Sequence, residues 1–250
     1  PGEEIIVPPY TMSVTVMAPL IYGCIPVFAD IEEKYFCIDP NEVVSKITNK
    51  TKAVIAVNLF GHPAELKLLK KICKEKNIFL IEDNAQAPFA VENNRYTGTV
   101  GDIGVFSLNR HKHIHTGEGG ILVTNNDEYA KRLRLIRNHA EAIVDNSLNN
   151  LTPNMIGHNF RLGEIESAIG IQQIKKLKSK VKRRQKIALK LTKALNKLPG
   201  IKTPKIQKNC THAFYIYALL IDEKKIKVKK NKIYDALVAE GIDNILDNYS

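Results

Sequence analysis

Short apolar runs alternate with segments of helical period along the first half of the chain. Ile5 to Pro8, Ile25 to Asp30, Ala53 to Asn58, Ile78 to Glu82, Val105 to Leu108 and Gly120 to Thr124 predict strands. Between them lie helix signals: Asp39-Pro40-Asn41 ahead of Glu42 to Ile47, Pro63 opening Ala64 to Lys76, and Asn126-Asp127 ahead of Glu128 to Asn138. Strands that alternate with helices in this way predict an α/β fold, a mostly parallel sheet with helices on both faces and its strands buried on both sides.

After Asn138 the pattern changes. A loop-like stretch, NSLNNLTPN at 146–154, precedes a long helix from about Leu162 to Leu198, which Pro199-Gly200 ends. Phe214 to Asp222 is strand-like and Lys229 to Glu240 helical, which predicts a small α+β domain. The expected organisation is a large domain over 1–160, a connecting helix over 161–200 and the start of a small domain over 201–250.

At 250 residues, 44% hydrophobic and 25% charged, the chain is long enough to bury roughly 70–75% of its unfolded surface and lacks the signature of disorder. Its weakly polar stretch from Val16 to Ala29 is broken by Pro19, Gly23 and Pro26 and falls short of the ~20 residues of a membrane helix. No basic segment ahead of an apolar one is visible at Pro1, so a cytoplasmic location without membrane attachment is expected. Cys24, Cys37, Cys73 and Cys210 are scattered, which points to buried reduced thiols rather than disulfides or zinc. The net charge of +11 raises a nucleic-acid partner. However, the lysines of 175–197 fall between Ile174, Leu177, Val181, Ala188, Leu191, Leu195 and Leu198 at helical spacing, with no interleaved aromatic residues, which favours a solvated face.

Asp83 follows a buried strand in IFLIEDNAQA, and Lys112 follows another in FSLNRHKHIHTGEGG. Open α/β sheets present ligands at such strand ends. A pyridoxal phosphate site needs an amine to hold the cofactor aldehyde and move a proton, and an anion to keep the pyridine nitrogen protonated. Either residue alone also reads as a helix cap or a solvated lysine. The alternating His111, His113 and His115 could form a metal edge on a strand, although no fourth ligand is near, and loop packing or substrate contact is the other reading.

The chain resembles the DegT/DnrJ/EryC1/StrS sugar aminotransferases. The resemblance runs through EEIIVPPYT at 3–11, PVFADIE at 26–32, KAVIAVNLFGHPAEL at 52–66, IEDNAQA at 81–87, GDIGVFS at 101–107, TGEGGILVTN at 116–125, RLIRNHA at 134–140 and NFRLGEIESAIG at 159–170. It implies the fold of type I pyridoxal-phosphate transferases, aspartate-aminotransferase-like, with a seven-stranded-type sheet. It further implies Lys112 as the lysine that carries the cofactor, five residues after Ser107 and five before Gly117, and Asp83 as the partner of the pyridine nitrogen. Gln86 would approach the ring hydroxyl and Ser107 the phosphate. Asn159 would reach the phosphate from a neighbouring subunit, making a homodimer with a shared site. The glycines of 116–120 would let backbone pass close to the cofactor.

The implied reaction is amination of a keto-sugar nucleotide with L-glutamate as donor. A sugar dehydratase, in which histidine replaces the lysine, an inosose-type aminotransferase and a catalytically incomplete paralogue serving as a dimer partner are the alternatives. Met12 stands where the family often has an aromatic ring over the pyridine, Pro88-Phe89 replace a common His-Gly pair, and Pro19 sits where a helix is expected. The family's phosphate-binding Ser-Gly-Thr segment would lie upstream of Pro1, so the chain reads as truncated at both ends.

Overall fold

The computed structural model describes residues 1–141, 155–242, 244–247 and 249; the loop expected over 146–154 lies outside them. In chain order the elements begin β1 (Glu4–Val7), α1 (Val14–Ile21), β2 (Ile25–Phe28), α2 (Pro40–Lys46), β3 (Thr51–Val57), α3 (Leu66–Lys76) and β4 (Phe79–Asp83). They continue with a hairpin, β5 (Val91–Glu92) and β6 (Arg95–Tyr96), then β7 (Ile103–Ser107), β8 (Gly120–Val123), α4 (Asp127–Arg137) and α5 (Glu164–Leu195). The last are β9 (Ile201–Lys202), β10 (Leu220–Ile221), α6 (Glu223–Ile226) and α7 (Lys230–Ala239).

All six expected strands join one sheet in the order β2-β1-β3-β4-β7-β8. Every neighbouring pair is parallel except β7 with β8. The described sheet therefore has six strands rather than seven. Burial on both faces holds at the centre, where Val54, Ala56 and Leu80 are buried on one face and Ala53 and Val57 on the other, and fails at the edges, where Ile25, Phe28 and Leu122 are exposed. An edge strand has a neighbour on one side only, so less covers it.

Local chemistry explains the helix ends. Asp39 accepts a bond from the Asn41 N–H at 2.8 Å with Pro40 in the first turn of α2. Asn126 caps α4 by accepting from the Tyr129 N–H at 3.1 Å, and α4 opens on Asp127 and Glu128 and closes on Arg134 and Arg137, as the helix dipole favours. Pro19 is accommodated near the end of α1, which stops two residues later. Of the apolar stripe on α5, Val181 and Ala188 are buried and Leu177 packs with Ala87, Ala90 and Ala213, whereas Ile174 and Leu191 are exposed, as is Leu198 just beyond the helix end.

Glu82 is fully buried, and its carboxylate accepts the backbone N–H groups of Gly98, Val100 and Gly101 at 2.5, 2.6 and 2.6 Å. This nest ties β4 to the turn leading into β7. The turn passes so near β7 that a Cβ on Gly104 would lie 1.9 Å from the Gly98 carbonyl oxygen.

The expected strand over Phe214 to Asp222 is confined to Leu220–Ile221, which pairs antiparallel with Ile201–Lys202. The residues before it form a strap instead. Its amides are bound elsewhere, Ala213 N donating to Gly61 O and Tyr215 N to Phe60 O, both at 2.8 Å, and Phe214 takes a φ of 50° that breaks extended backbone. Three buried histidines fasten this strap. His62 donates from Nδ1 to Pro63 O and accepts the Gln207 N–H on Nε2, His212 accepts the Phe214 N–H on Nδ1, and His113 donates from Nε2 to Ala213 O.

The cysteines are all free, Cys37 and Cys73 buried as expected and Cys24 and Cys210 only half-buried. Burial pushes the Cys37 thiol up to about 12 and Cys73 up to about 11, so both stay protonated.

Two stability predictions follow from these contacts. Glu82→Leu leaves three buried N–H groups without an acceptor and should cost at least about 3 kcal/mol, read as a fall in the urea midpoint; an unchanged midpoint would show that the nest is dispensable. Burial also lowers the pKa of His62 and His113 to about 4 and of His212 to about 3. An unfolded histidine titrates near 6.5, so the unfolded chain binds more protons between the two values. Stability is then complete above pH 6.5 and falls as the pH drops toward 4, by on the order of 2 kcal/mol per histidine at pH 4.5. Urea midpoints that stay level from pH 7 to 5 would contradict this.

Candidate active site

The site forms at the C-terminal ends of β4 and β7. Asp83 closes β4. Its Oδ1 accepts the Ala85 N–H at 3.0 Å, and Thr15 Oγ1 on α1 makes a long contact of 3.5 Å to Oδ2. Burial raises the Asp83 pKa above the ordinary aspartate range, while the Ala85 N–H, the Lys112 charge and the Thr15 hydroxyl pull it back.

Lys112 sits in the turn between β7 and β8. Leu108 N donates to Gly119 O at 2.8 Å and Thr116 N to Leu108 O at 3.0 Å, which closes this loop at its base. Inside it, Asn109 Oδ1 accepts the His111 N–H, Asn109 Nδ2 donates to Glu118 and Asn109 O accepts the Lys112 N–H. The return leg needs glycine, since Gly117 has a φ of 90°. Burial lowers the pKa of the half-buried Lys112 amine, and Asp83 opposes that shift. The Nζ atom lies over the Tyr215 ring, 4.7 Å from its centroid.

Gln86 is buried, with Oε1 accepting the Phe60 N–H at 2.7 Å and Nε2 donating to the Tyr249 hydroxyl at 2.6 Å. A primary amide has two N–H groups, so one donor remains beyond these two bonds. Ser107 ends β7 and accepts the Asn109 N–H on Oγ at 3.2 Å. Asp83, Gln86, Ser107 and Lys112 thus all lie at the C-terminal ends of β4 and β7 or in the loops that follow them. Asn159 does not join them. It is exposed, bridges to Asn138 at the end of α4, and among the described residues bonds to none of the other four. Met12 is largely exposed.

The three histidines of the Lys112 loop do not form a metal edge. The segment is a turn rather than a strand; His111 and His115 are exposed and His113 is buried. Among the described residues no group of three potential metal ligands exists.

Sequence reasoning missed Thr15, Tyr215 and Tyr249. The clustered aromatic residues Phe214, Tyr215 and Tyr217 were the available signal, but they read as a strand. Asn58 and Asn84 were also missed. Asn58 Nδ2 donates to Asn84 Oδ1 at 3.0 Å, and Asn58 N to Asp83 O at 3.0 Å, in the interior between β3 and β4.

Among the described residues no helix is long and apolar enough to cross a membrane. The profile of the DegT/DnrJ/EryC1/StrS aminotransferase family matches residues 1–246. The chain is 32% identical to the spore coat polysaccharide biosynthesis protein SpsC of Bacillus subtilis, over 96% of this chain and 63% of that protein. It is likewise 32% identical to the GDP-perosamine synthase of Escherichia coli O157:H7, over 95% of this chain and 64% of that enzyme. A GDP-4-keto-6-deoxy-D-mannose 3-dehydratase of Yersinia pseudotuberculosis is also 32% identical, over 97% and 64%. The crystal structure of S. venezuelae DesV superposes with a TM-score of 0.89 at 29% identity, covering 99% of this chain and 64% of that one. The chain therefore spans a little under two thirds of the relatives it matches, and over nearly its whole length it belongs to the DegT/DnrJ/EryC1/StrS aminotransferase family.

Proposed function

We propose that this chain supplies much of the active site of a pyridoxal-phosphate-dependent aminotransferase that aminates a keto-sugar carried on a nucleoside diphosphate, with L-glutamate as donor. The observation that carries this reading is the placement of Asp83 at the end of β4 and Lys112 in the loop after β7, with the charge of each acting on the other. Its chemistry fits the cofactor. A lysine amine whose pKa is lowered by burial gives up its proton more readily than a solvated one, and a carboxylate held by few N–H groups keeps charge to share with a cation.

Pyridoxal phosphate, when bound, supplies a ring that draws electrons from the reacting carbon. Lys112 would hold it and carry a proton on Nζ, and Asp83 would sustain the charge of the ring nitrogen. The remaining N–H of Gln86 would meet the ring hydroxyl, and the Ser107 hydroxyl the phosphate. The relatives named for perosamine synthesis and spore coat polysaccharide support a sugar-nucleotide substrate. The dehydratase relative makes dehydration the second reading. Lys112 favours amination, because a lysine can bind the cofactor covalently and a histidine cannot.

Asn159 would act from a second copy of the chain. Exposed apolar side chains on and near the segment that bears Asn159 support this, with Phe160 66% and Ile165 75% accessible. The Tyr22 hydroxyl bonds His158 at 3.0 Å, which joins the end of α1 to the segment bearing Asn159.

In the intact protein, added pyridoxal phosphate should give the visible band of a lysine-bound cofactor, and L-glutamate should discharge it. Lys112→Ala should show neither and lose about 10³-fold or more in turnover; absence of a band at saturating cofactor would sink the aminotransferase reading. Asn159→Ala mixed with Lys112→Ala should regain up to about a quarter of native sites, since half of randomly paired dimers hold one intact site of two. Mixtures no more active than the separate variants would contradict a shared site.

A further inference from the structure

We infer that the face of Tyr215 is a positioning element for Lys112, the resting place of its ε-amine whenever that amine is not bound to the cofactor. The inference rests on the reading of Lys112 as the cofactor-bearing lysine. Nζ stands 4.7 Å from the ring centroid, well inside the range of cation–π attraction.

The ring is fixed where a resting place requires it. Tyr215 N donates to Phe60 O at 2.8 Å, and Arg184 Nη1 on α5 donates to the carbonyl oxygens of Phe214 and Tyr215 at 3.0 and 3.3 Å. The residue after Lys112 is tied to the same strap, since His113 Nε2 donates to Ala213 O at 2.9 Å. The ring and the backbone that carries Lys112 are therefore mounted on the same strap.

The charged and titratable groups around the pair make the choice of an aromatic face intelligible. Asp83 faces Lys112 from the end of β4, Arg184 approaches from α5, Tyr249 neighbours the Tyr215 phenol, and His113 next in the chain is neutral. Among the described residues Lys112 makes no ion pair. Were Asp83 its sole partner, a tight pair would hold the amine charged and occupy the carboxylate that the pyridine nitrogen needs. A π face attracts the ammonium without neutralising any carboxylate, and it gives up the neutral amine at little cost. Tyr215 thus keeps Lys112 near Asp83 and out of its grasp.

Competitive acetylation of the cofactor-free protein, read at Lys112 by mass spectrometry across pH, gives the titration midpoint of the amine directly. Removing the ring removes a contact that favours the charged form, so Tyr215→Leu should lower the midpoint by about half to one and a half pH units. Tyr215→Phe retains the face and should stay within about 0.3 units of the native value. A series of increasingly fluorinated phenylalanines at 215 keeps the shape while weakening the face, and should lower the midpoint step by step even if the leucine variant fails to fold. A leucine midpoint equal to the native one, a phenylalanine shift as large as that of leucine, or a flat fluorine series would each overturn the inference. Covalent cofactor capture by Lys112→Ala would instead overturn the reading of Lys112 and leave the labelling result intact.

Discussion

The geometry of the site depends on a clasp between two buried amides at the ends of adjacent parallel strands. Asn58 donates its backbone N–H to the Asp83 carbonyl oxygen and its Nδ2 to Asn84 Oδ1, and accepts the Ala64 N–H on Oδ1, each at 3.0 Å. Asn84 donates its backbone N–H to Val105 O at 2.8 Å and its Nδ2 to Thr97 O at 3.2 Å. Both residues are fully buried, so every one of these bonds lacks a competing water. The ends of β3, β4 and β7 are thereby set against one another, and Asp83, Gln86 and Ser107 inherit that rigidity.

Two consecutive carboxylates on β4 show how environment separates structure from chemistry. Successive strand residues face opposite sides of the sheet. Glu82 faces the interior and receives three backbone N–H groups, which fully commits it to the fold. Asp83 faces the site with one short N–H bond and one long hydroxyl contact. Burial raises its pKa, and the neighbouring Lys112 charge helps to hold it ionised. A carboxylate with so little internal satisfaction remains able to bind a further cationic group, whereas Glu82 does not.

The sheet was legible in the sequence because its signals are local. Runs such as Ala53 to Asn58 are apolar enough to demand burial, and Asp39-Pro40 and Asn126 mark helix starts by bonds that reach only two and three residues along the chain. The positions of Asp83 and Lys112 just after strands were legible too, whereas the roles expected of them came from the resemblance alone. The strap was not, because its conformation is decided by partners far away in the chain. Phe214 to Tyr217 is an unbroken run of aromatic and β-branched residues, as a buried strand can be, yet the carbonyl groups of Gly61 and Phe60 take the amides of Ala213 and Tyr215. Likewise the stripe on α5 marked the helix correctly but said nothing about which of its apolar residues this chain would cover. The role of His113 was hidden for the same reason, as its partner Ala213 lies 100 residues on.

This separation also sets the order in which the site can assemble. The clasp joins residues 26 apart, across the single α3 crossover that links β3 to β4. The bond from Gln86 to Tyr249 spans 163 residues, and those from His62 to Gln207 and from Arg184 to Phe214 bring the strap down from both sides. Closing a longer loop costs more chain entropy and is compensated only when its contacts form, so the strap docks after the sheet exists. The half of the site bearing Asp83 and Gln86 is then built before the half bearing Tyr215 and Tyr249. Because three neutral histidines hold that later half, it is also the part whose attachment depends most directly on pH. Loosening the strap would free the Tyr215 ring from Lys112 while leaving Asp83 in place, so the lysine's surroundings can change without disturbing the carboxylate that defines the other side of the site.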